Sequence, residues 1–166
     1  MDIQQQHDPQ LQAVADLVHD IQFAMVTATG ADGVLRSRPM TVMQMDAEGC
    51  LWFFTSRAAA KTEDAAQQSA VNLALARPDQ QDYLSLSGNA EVVRDPAKMK
   101  ALWTPWIKPW FPDGLDDPQL TLLKVTLVEA EYWEAPGSAV KRLYALAKGM
   151  MTGNTNGLGE HRRIRI

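Results

Sequence analysis

Tyr83-Leu84-Ser85-Leu86-Ser87-Gly88-Asn89-Ala90-Glu91-Val92-Val93 alternates apolar and polar residues along its length. Leu84, Leu86, Gly88, Ala90 and Val92 share one face, and Ser85, Ser87, Asn89 and Glu91 share the other. A period of two sustained this long predicts a strand with one buried side. Gly88 in mid-strand predicts a sharp bend or a close backbone approach, as at a barrel corner.

Outward from this strand the pattern repeats. Val71 to Ala76 reads as a strand, joined to the first by the turn-rich Arg77-Pro78-Asp79-Gln80-Gln81-Asp82. Further upstream, Phe23–Thr29, Val34–Met45 and Cys50–Thr55 are β-branched and apolar, separated by Gly30-Ala31-Asp32-Gly33 and Asp46-Ala47-Glu48-Gly49. These are three strands joined by two tight antiparallel connections. Pro39 removes a donor from the second, which must be an edge, bulged or broken there. Downstream, Leu120 to Trp133 returns to strand character, and His161 to Ile166 reads as a short alternating strand or a disordered end.

Helices flank the strands. Asp8-Pro9 and Asp95-Pro96 each pair an N-cap residue with proline at the first helical position. The first helix carries Leu11, Val14, Val18 and Ile21 on one face and ends near Gln22, and the second runs through Trp103. Residues 57–69 are Ala-rich and polar, a surface helix, and Ser138 to Lys148 reads as helical. Residues 104–118 hold four prolines and cannot form a regular helix or a central strand. With tight hairpins and no long βαβ series, the fold class is mainly β (α+β): an antiparallel barrel or sandwich with flanking helices.

At 166 residues the chain fits one domain, with 46% hydrophobic and 22% charged residues, an ordinary globular balance. The net charge of −4 argues against a partner coated along its length in phosphates, so no nucleic acid is expected. That charge is uneven: residues 1–140 hold 10 basic and 19 acidic residues, whereas residues 141–166 hold six basic and one acidic. Such a basic tail either touches an acidic partner or is a solvated end. The single cysteine, Cys50, excludes an internal disulfide, and the three histidines show no metal-ligand spacing, so no metal is expected. No signal segment and no apolar run of membrane length is visible, which makes a cytoplasmic location the expectation.

Two segments stand out for chemistry. Arg36-Ser37-Arg38 places two guanidinium groups on one strand face, where an anion or acids must lie between them, and arginine suits bidentate phosphate binding. The alternative is a solvated face paired with surface acids. Trp52-Phe53-Phe54-Thr55-Ser56-Arg57 runs from an apolar strand into hydroxyls, then into a helix with Arg57 and Lys61 four residues apart. Hydroxyl and cationic donors at such a strand end suit an anion, though an ordinary helix cap with surface charges would look the same. Between residues 36 and 61 there are four basic residues and two acids, Asp46 and Glu48, both in a turn. Trp103, Trp106, Trp110 and Phe111 cluster in the proline-rich segment. Such rings can roof a planar cofactor, fill a subunit interface or pack as core.

The ordered series of FAMVTAT, LRSRPM, LWFFTS followed by Lys61, YLSLSGNAEVV and the stretch ending KVTLVEAEYWEAP resembles the general stress protein branch of the pyridoxamine 5′-phosphate oxidase-like, FMN-binding split-barrel superfamily. The likeness spans about residues 10–148, with a weaker echo in GLGEHRRIRI. It implies a six-stranded antiparallel split β-barrel over residues 1–148, a Gly-rich basic tail over 149–166, and a homodimer with flavin sites at the subunit interface. It further implies that Arg38 and Lys61 are the phosphate-binding cations, with Ser56 and Arg57 at the strand-end phosphate contacts and Arg36 as their neighbour. Met40, Thr41 and Val42 match the strand that lines the isoalloxazine edge, and Phe54 and Thr55 the strand beside the ring. Trp110 or Trp106 would cover the ring from the partner subunit. The cofactor implied is FMN, or FAD if the adenosine half protrudes. The further basic and aromatic residues that pyridoxamine phosphate oxidases use for substrate are not matched by GEHRRIRI, so the implied role is flavin binding, as an oxidoreductase of unassigned substrate or as a flavin carrier, rather than vitamin B6 oxidation.

Two alternatives stand beside this reading. Related split barrels take the deazaflavin F420 or haem, and haem lacks an axial histidine in these strands. The chain could also be a non-enzymatic interaction module that uses its tryptophan-rich loop and basic tail.

Overall fold

The computed structural model describes residues 1–62, 69–134 and 160–166. The predicted helix over Ser138–Lys148, the stretch 149–159 and the end of the helix predicted over 57–69 lie outside them.

Helix α1 (Pro9–Ile21) begins where Asp8 accepts the Gln10 N–H at 2.8 Å, and ends at Gln22, which turns left-handed with φ of 65°. Strand β1 (Asp2–Ile3) precedes it. Strands β2 (Phe23–Thr29), β3 (Leu35–Thr41), β4 (Gln44–Met45) and β5 (Cys50–Ser56) follow, and β5 runs directly into α2 (Arg57–Thr62). Then come β6 (Ser69–Arg77), β7 (Asp82–Val93), α3 (Pro96–Leu102), β8 (Leu120–Glu134) and β9 (Glu160–Arg165). The proline-rich segment forms two short 3-10 turns, Pro105–Ile107 and Gly114–Asp116.

The strands lie in the order β1-β4-β5-β8-β7-β6-β2-β3, with β9 added to β8. Only Val42 and Met43 separate β3, at one end of this order, from β4, which pairs with β5. Taken together, β3 and β4 are one bent strand that pairs with β2 by its first part and with β5 by its last. This closes a barrel of six strands: β2, β3/β4, β5, β8, β7 and β6.

Pro39 marks the strand as an edge, but the bend falls beyond it, and the hydrogen bonds explain why. The Val42 N–H donates to the Gln22 carbonyl at 2.9 Å, and the next N–H, of Met43, donates to the Trp52 carbonyl at 2.8 Å. Because amides alternate sides along a strand, the even-numbered residues of β3 bond to β2. Pro39, opposite Met25, falls at a non-bonded position where its missing N–H costs nothing.

Gly88 does what its place in the alternation predicts. The β7–β8 register shifts between Ser87, opposite Glu129, and Gly88, opposite Leu127. A Cβ at Gly88 would lie 2.5 Å from the Thr126 carbonyl oxygen, closer than any side chain can approach.

The barrel interior is filled by Val26, Phe53, Leu73, Leu86 and Val125, and α1 adds Leu11, Val14, Leu17 and Val18 to the same core. A second apolar cluster lies outside the barrel, where α3 and the proline-rich segment cover Trp52 and Leu122 with Met99, Leu102, Ile107 and Phe111. Strand β5 is therefore buried on both faces. Trp52 Nε1 donates to Asp46 Oδ2 at 2.7 Å, and Lys98 Nζ sits 4.5 Å from the centre of the Trp52 ring, tying α3 down. The basic C-terminal end is anchored on β8: Arg163 lies 2.8 Å from Glu129 and 3.5 Å from Glu131, and Ile164 is buried. Among the described residues no helix is long and apolar enough to cross a membrane.

Candidate functional site

The bend in β3/β4 makes the site. Continued from Gln44 opposite Trp52, an unbroken ladder would set Val42 opposite Phe54 and Met40 opposite Ser56. Instead Val42 bonds to Gln22, β3 leaves with β2, and the barrel wall parts between β3 and β5. The opening is a cleft of about 780 Å³. That is within the roughly 300–1,000 Å³ range of small-molecule sites.

β3 contributes Arg38, Met40 and Thr41 to the cleft, and β5 contributes Phe54, Thr55 and Ser56. Trp106, Ile107, Trp110 and Phe111 of the proline-rich segment close another side. By the alternation set at Val42 and Met43, the Thr41 N–H and carbonyl and the Pro39 carbonyl turn away from β2 toward the cleft. Thr55 and Ser56 end β5, and Ser56 Oγ accepts the Ala59 N–H at 3.1 Å, which caps α2. Among the described lining residues Arg38 is the single charged one, and most of the rest are apolar. The arrangement can hold an anionic group near Arg38 and the hydroxyls and a flat apolar body beside the aromatic rings.

Nine of the residues singled out from sequence thus converge: Arg38, Met40, Thr41, Phe54, Thr55, Ser56, Trp106, Trp110 and Phe111. Trp106 and Trp110 wall the cleft of their own chain. Three others stand apart. Arg36 is turned onto Asp32 at the β2–β3 turn, with nitrogen–oxygen distances of 2.6 and 2.8 Å. That guanidinium holds the Asp32 carboxyl well below the usual range, helped by the Val34 N–H. Val42 is fully buried in the barrel core, and its N–H belongs to Gln22. Arg57 is exposed outside the lining, its N–H bonded to the Gln119 carbonyl at 2.8 Å. Lys61 lies on α2, and its side chain is outside the described residues.

The structure also brings in Phe23, Met43 and Ile107, which the sequence reading did not single out. Only Phe23 left a signal: a large ring at the start of β2, on the face opposite buried Ala24 and Val26. Cys50 is buried outside the cleft, 3.7 Å from Thr126 Oγ1, and burial pushes its thiol pKa up.

The sequence pattern of a family described as pyridoxamine 5′-phosphate oxidase like matches residues 9–157. Protein bli-3 of Neurospora crassa is 26% identical over 167 residues, covering 95% of this chain and 80% of that protein. Among solved structures, a protein of Jannaschia sp. named as general stress protein 26 superposes with a TM-score of 0.73 at 26% identity, covering 91% of this chain and 94% of the other. A general stress FMN/FAD binding protein from Xanthomonas citri superposes with a TM-score of 0.64 at 30% identity, covering 74% of this chain and 86% of the other.

Proposed function

This chain belongs to the pyridoxamine 5′-phosphate oxidase-like family, and from that premise we propose that the cleft between β3 and β5 binds a flavin, FMN in the first place and FAD where the adenosine half extends into solvent. The observation that carries the reading is the meeting of Arg38, Thr55 and Ser56 with Met40, Phe54 and Trp110 in one cleft. The name of the Xanthomonas citri relative, an FMN/FAD binding protein at 30% identity, supports it.

The residues fit the group. Arg38 offers a planar, permanently charged donor fork suited to a phosphate monoester, and the two hydroxyls add neutral donors. Lys61, on α2, is proposed as a second cation. The apolar walls suit the isoalloxazine system, and the β3 backbone at Thr41 supplies a donor and an acceptor of the kind its pyrimidine edge takes. A bound flavin would supply one- and two-electron transfer, and the protein's part is binding, orientation and exclusion of water. The role follows from this: a flavin-binding protein of the general stress type, able to act as an oxidoreductase on a substrate that the chain's own residues leave open.

The assembly proposed is a homodimer. Phe23, Met25 and Leu35 are 62%, 42% and 69% exposed on the outer face of β2 and β3. Phe23 and Met25 adjoin Pro39 and Thr41 beside the cleft, with Leu35 farther along beyond Thr27 and Ser37, and exposed apolar side chains on one face suit a second copy.

Equilibrium dialysis of the purified protein against FMN, FAD and F420, with absorbance of the retained fraction, tests the reading. FMN retained near one per chain supports it. No retained flavin, or F420 alone, overturns it.

A further inference from the structure

We propose that Trp106 and Phe23 form a second subsite of the cleft, one that takes a planar, uncharged ring beside the flavin. The inference rests on the flavin reading and names the class of molecule that would share the site.

The proline-rich loop is built to display its tryptophans. Ile107 and Phe111 anchor it in the outer core at 4% and 7% exposure, while Trp106 and Trp110 stay 49% and 68% exposed. Turn hydrogen bonds from the Trp110 N–H to Ile107 and from the Phe111 N–H to Lys108, at 3.0 and 3.2 Å, hold it, with prolines at 105, 109 and 112. A large ring held outward by an ordered loop forgoes the stabilisation of burial, and an apolar ligand would restore it.

The geometry suits a flat ligand. Trp106 and Trp110 meet edge-to-face, with centroids 6.0 Å apart and planes at 90°, so they make two walls of a corner. A planar ring can lie against the face of one and the edge of the other. Phe23, from β2, lines the same cleft, and neither Phe23 nor Trp106 is needed for the phosphate or for the β3 backbone contacts assigned to the flavin. Charge selects the class. The one cation among the described lining residues, Arg38, is taken by the proposed phosphate contact, and those residues include no acid, so a cationic ligand finds no partner there and an uncharged one loses nothing.

Coumarin, a planar uncharged probe, tests this on the FMN-loaded protein by ligand-detected NMR and calorimetry. FMN retention and mass by light scattering are followed in the same samples. Coumarin should bind the wild type, and Trp106→Ala and Phe23→Ala should each weaken it about fivefold. Coumarin affinity should fall more than FMN retention does in both variants, and Trp106→Phe should recover most of the loss; equal losses of coumarin and FMN would return both rings to the flavin's own wall and overturn the subsite. No coumarin binding to the loaded wild type, or binding indifferent to both substitutions, overturns the subsite while leaving the flavin reading intact. A fall in mass without a change in coumarin affinity shows the corner to be an interface between copies and also overturns it. If the wild type retains no FMN, the flavin reading itself fails, and the subsite beside it fails with it.

Discussion

Arg36 and Asp32 form a two-pronged ion pair across the β2–β3 turn, and this leaves Arg38, two residues along the same strand, as the arginine that lines the cleft. Two guanidinium groups that look equivalent in sequence are therefore expected to behave differently. Arg38→Ala should weaken FMN binding about tenfold or more, the loss expected for a charge-assisted contact. Arg36→Ala should leave affinity within about twofold, since its partner is an exposed surface acid. Flavin fluorescence titration measures both, and equal losses would remove the distinction.

The Asp32–Arg36 pair also sets a pH dependence. The Asp32 carboxyl titrates lower in the folded protein than its ordinary value, so its stabilisation is present above the unfolded carboxylate range, near about 3.9, and is lost as pH falls below it. Because the pair is solvent-exposed, the effect is small and salt-sensitive. Asp32→Asn should lower the melting temperature by no more than about 2 °C at neutral pH, and the two proteins should converge under acid. A gap that widens with acid would contradict the sign.

What was legible in the sequence was local. The Asp8-Pro9 and Asp95-Pro96 helix starts need only neighbours a few residues away, and both side chains cap as their positions predict. Gly88 was readable because it interrupts a strict alternation. Pro39 announced an edge strand, but the bend at Val42 and Met43 is fixed by Gln22 and Trp52, partners far along the chain in opposite directions. The cleft that depends on that bend was legible only through the family resemblance. The fate of Arg36 was written four residues upstream in Asp32, yet spacing alone does not say which of two nearby arginines a turn acid will capture. Phe23 needed the tertiary fold, because nothing local ties the start of β2 to the proline-rich loop.

Gly88 should tolerate no side chain. Gly88→Ala would press a methyl group onto the Thr126 carbonyl at 2.5 Å and against Val125 Cγ1 at 2.9 Å, in the middle of the β7–β8 ladder. The expected cost is about 1–3 kcal/mol, the range for overpacking a well-filled interior. Urea denaturation followed by tryptophan fluorescence measures it, and an unchanged midpoint would mean that β8 yields at no cost.

Cys50 should be a slow thiol. It is buried against β8 with its pKa raised by desolvation, so the reactive thiolate is scarce at neutral pH. A disulfide reagent such as Ellman's should react with the native protein much more slowly than with the protein in guanidinium. Because the folded pKa lies above the unfolded one, the neutral thiol's share of stability should fade as pH rises past about 8.5. Cys50→Ala should remove that alkaline component and leave flavin retention unchanged. Fast native labelling would show that β5 and β8 separate readily.

The outer face of β2 and β3 should govern assembly separately from the cleft. Met25 and Leu35 are exposed on the same face as Phe23 but do not line the cleft, so charges placed there act on a partner copy before they act on a ligand. The double variant Met25→Lys and Leu35→Lys adds two like charges to each copy, and in a symmetric dimer these fall on one self-complementary patch. Repulsion and lost apolar burial then add. Light scattering should show the wild type at twice the chain mass and the double variant at the chain mass, with a melting temperature within a few degrees of the wild type. FMN affinity of that monomer then reports how much of the site one chain supplies. Retention within about tenfold fits a cleft walled by its own Trp106 and Trp110, whereas near-complete loss would assign the missing contacts to the second copy. A wild type that is monomeric at micromolar concentration would remove the dimer and leave the exposed face without its proposed occupant.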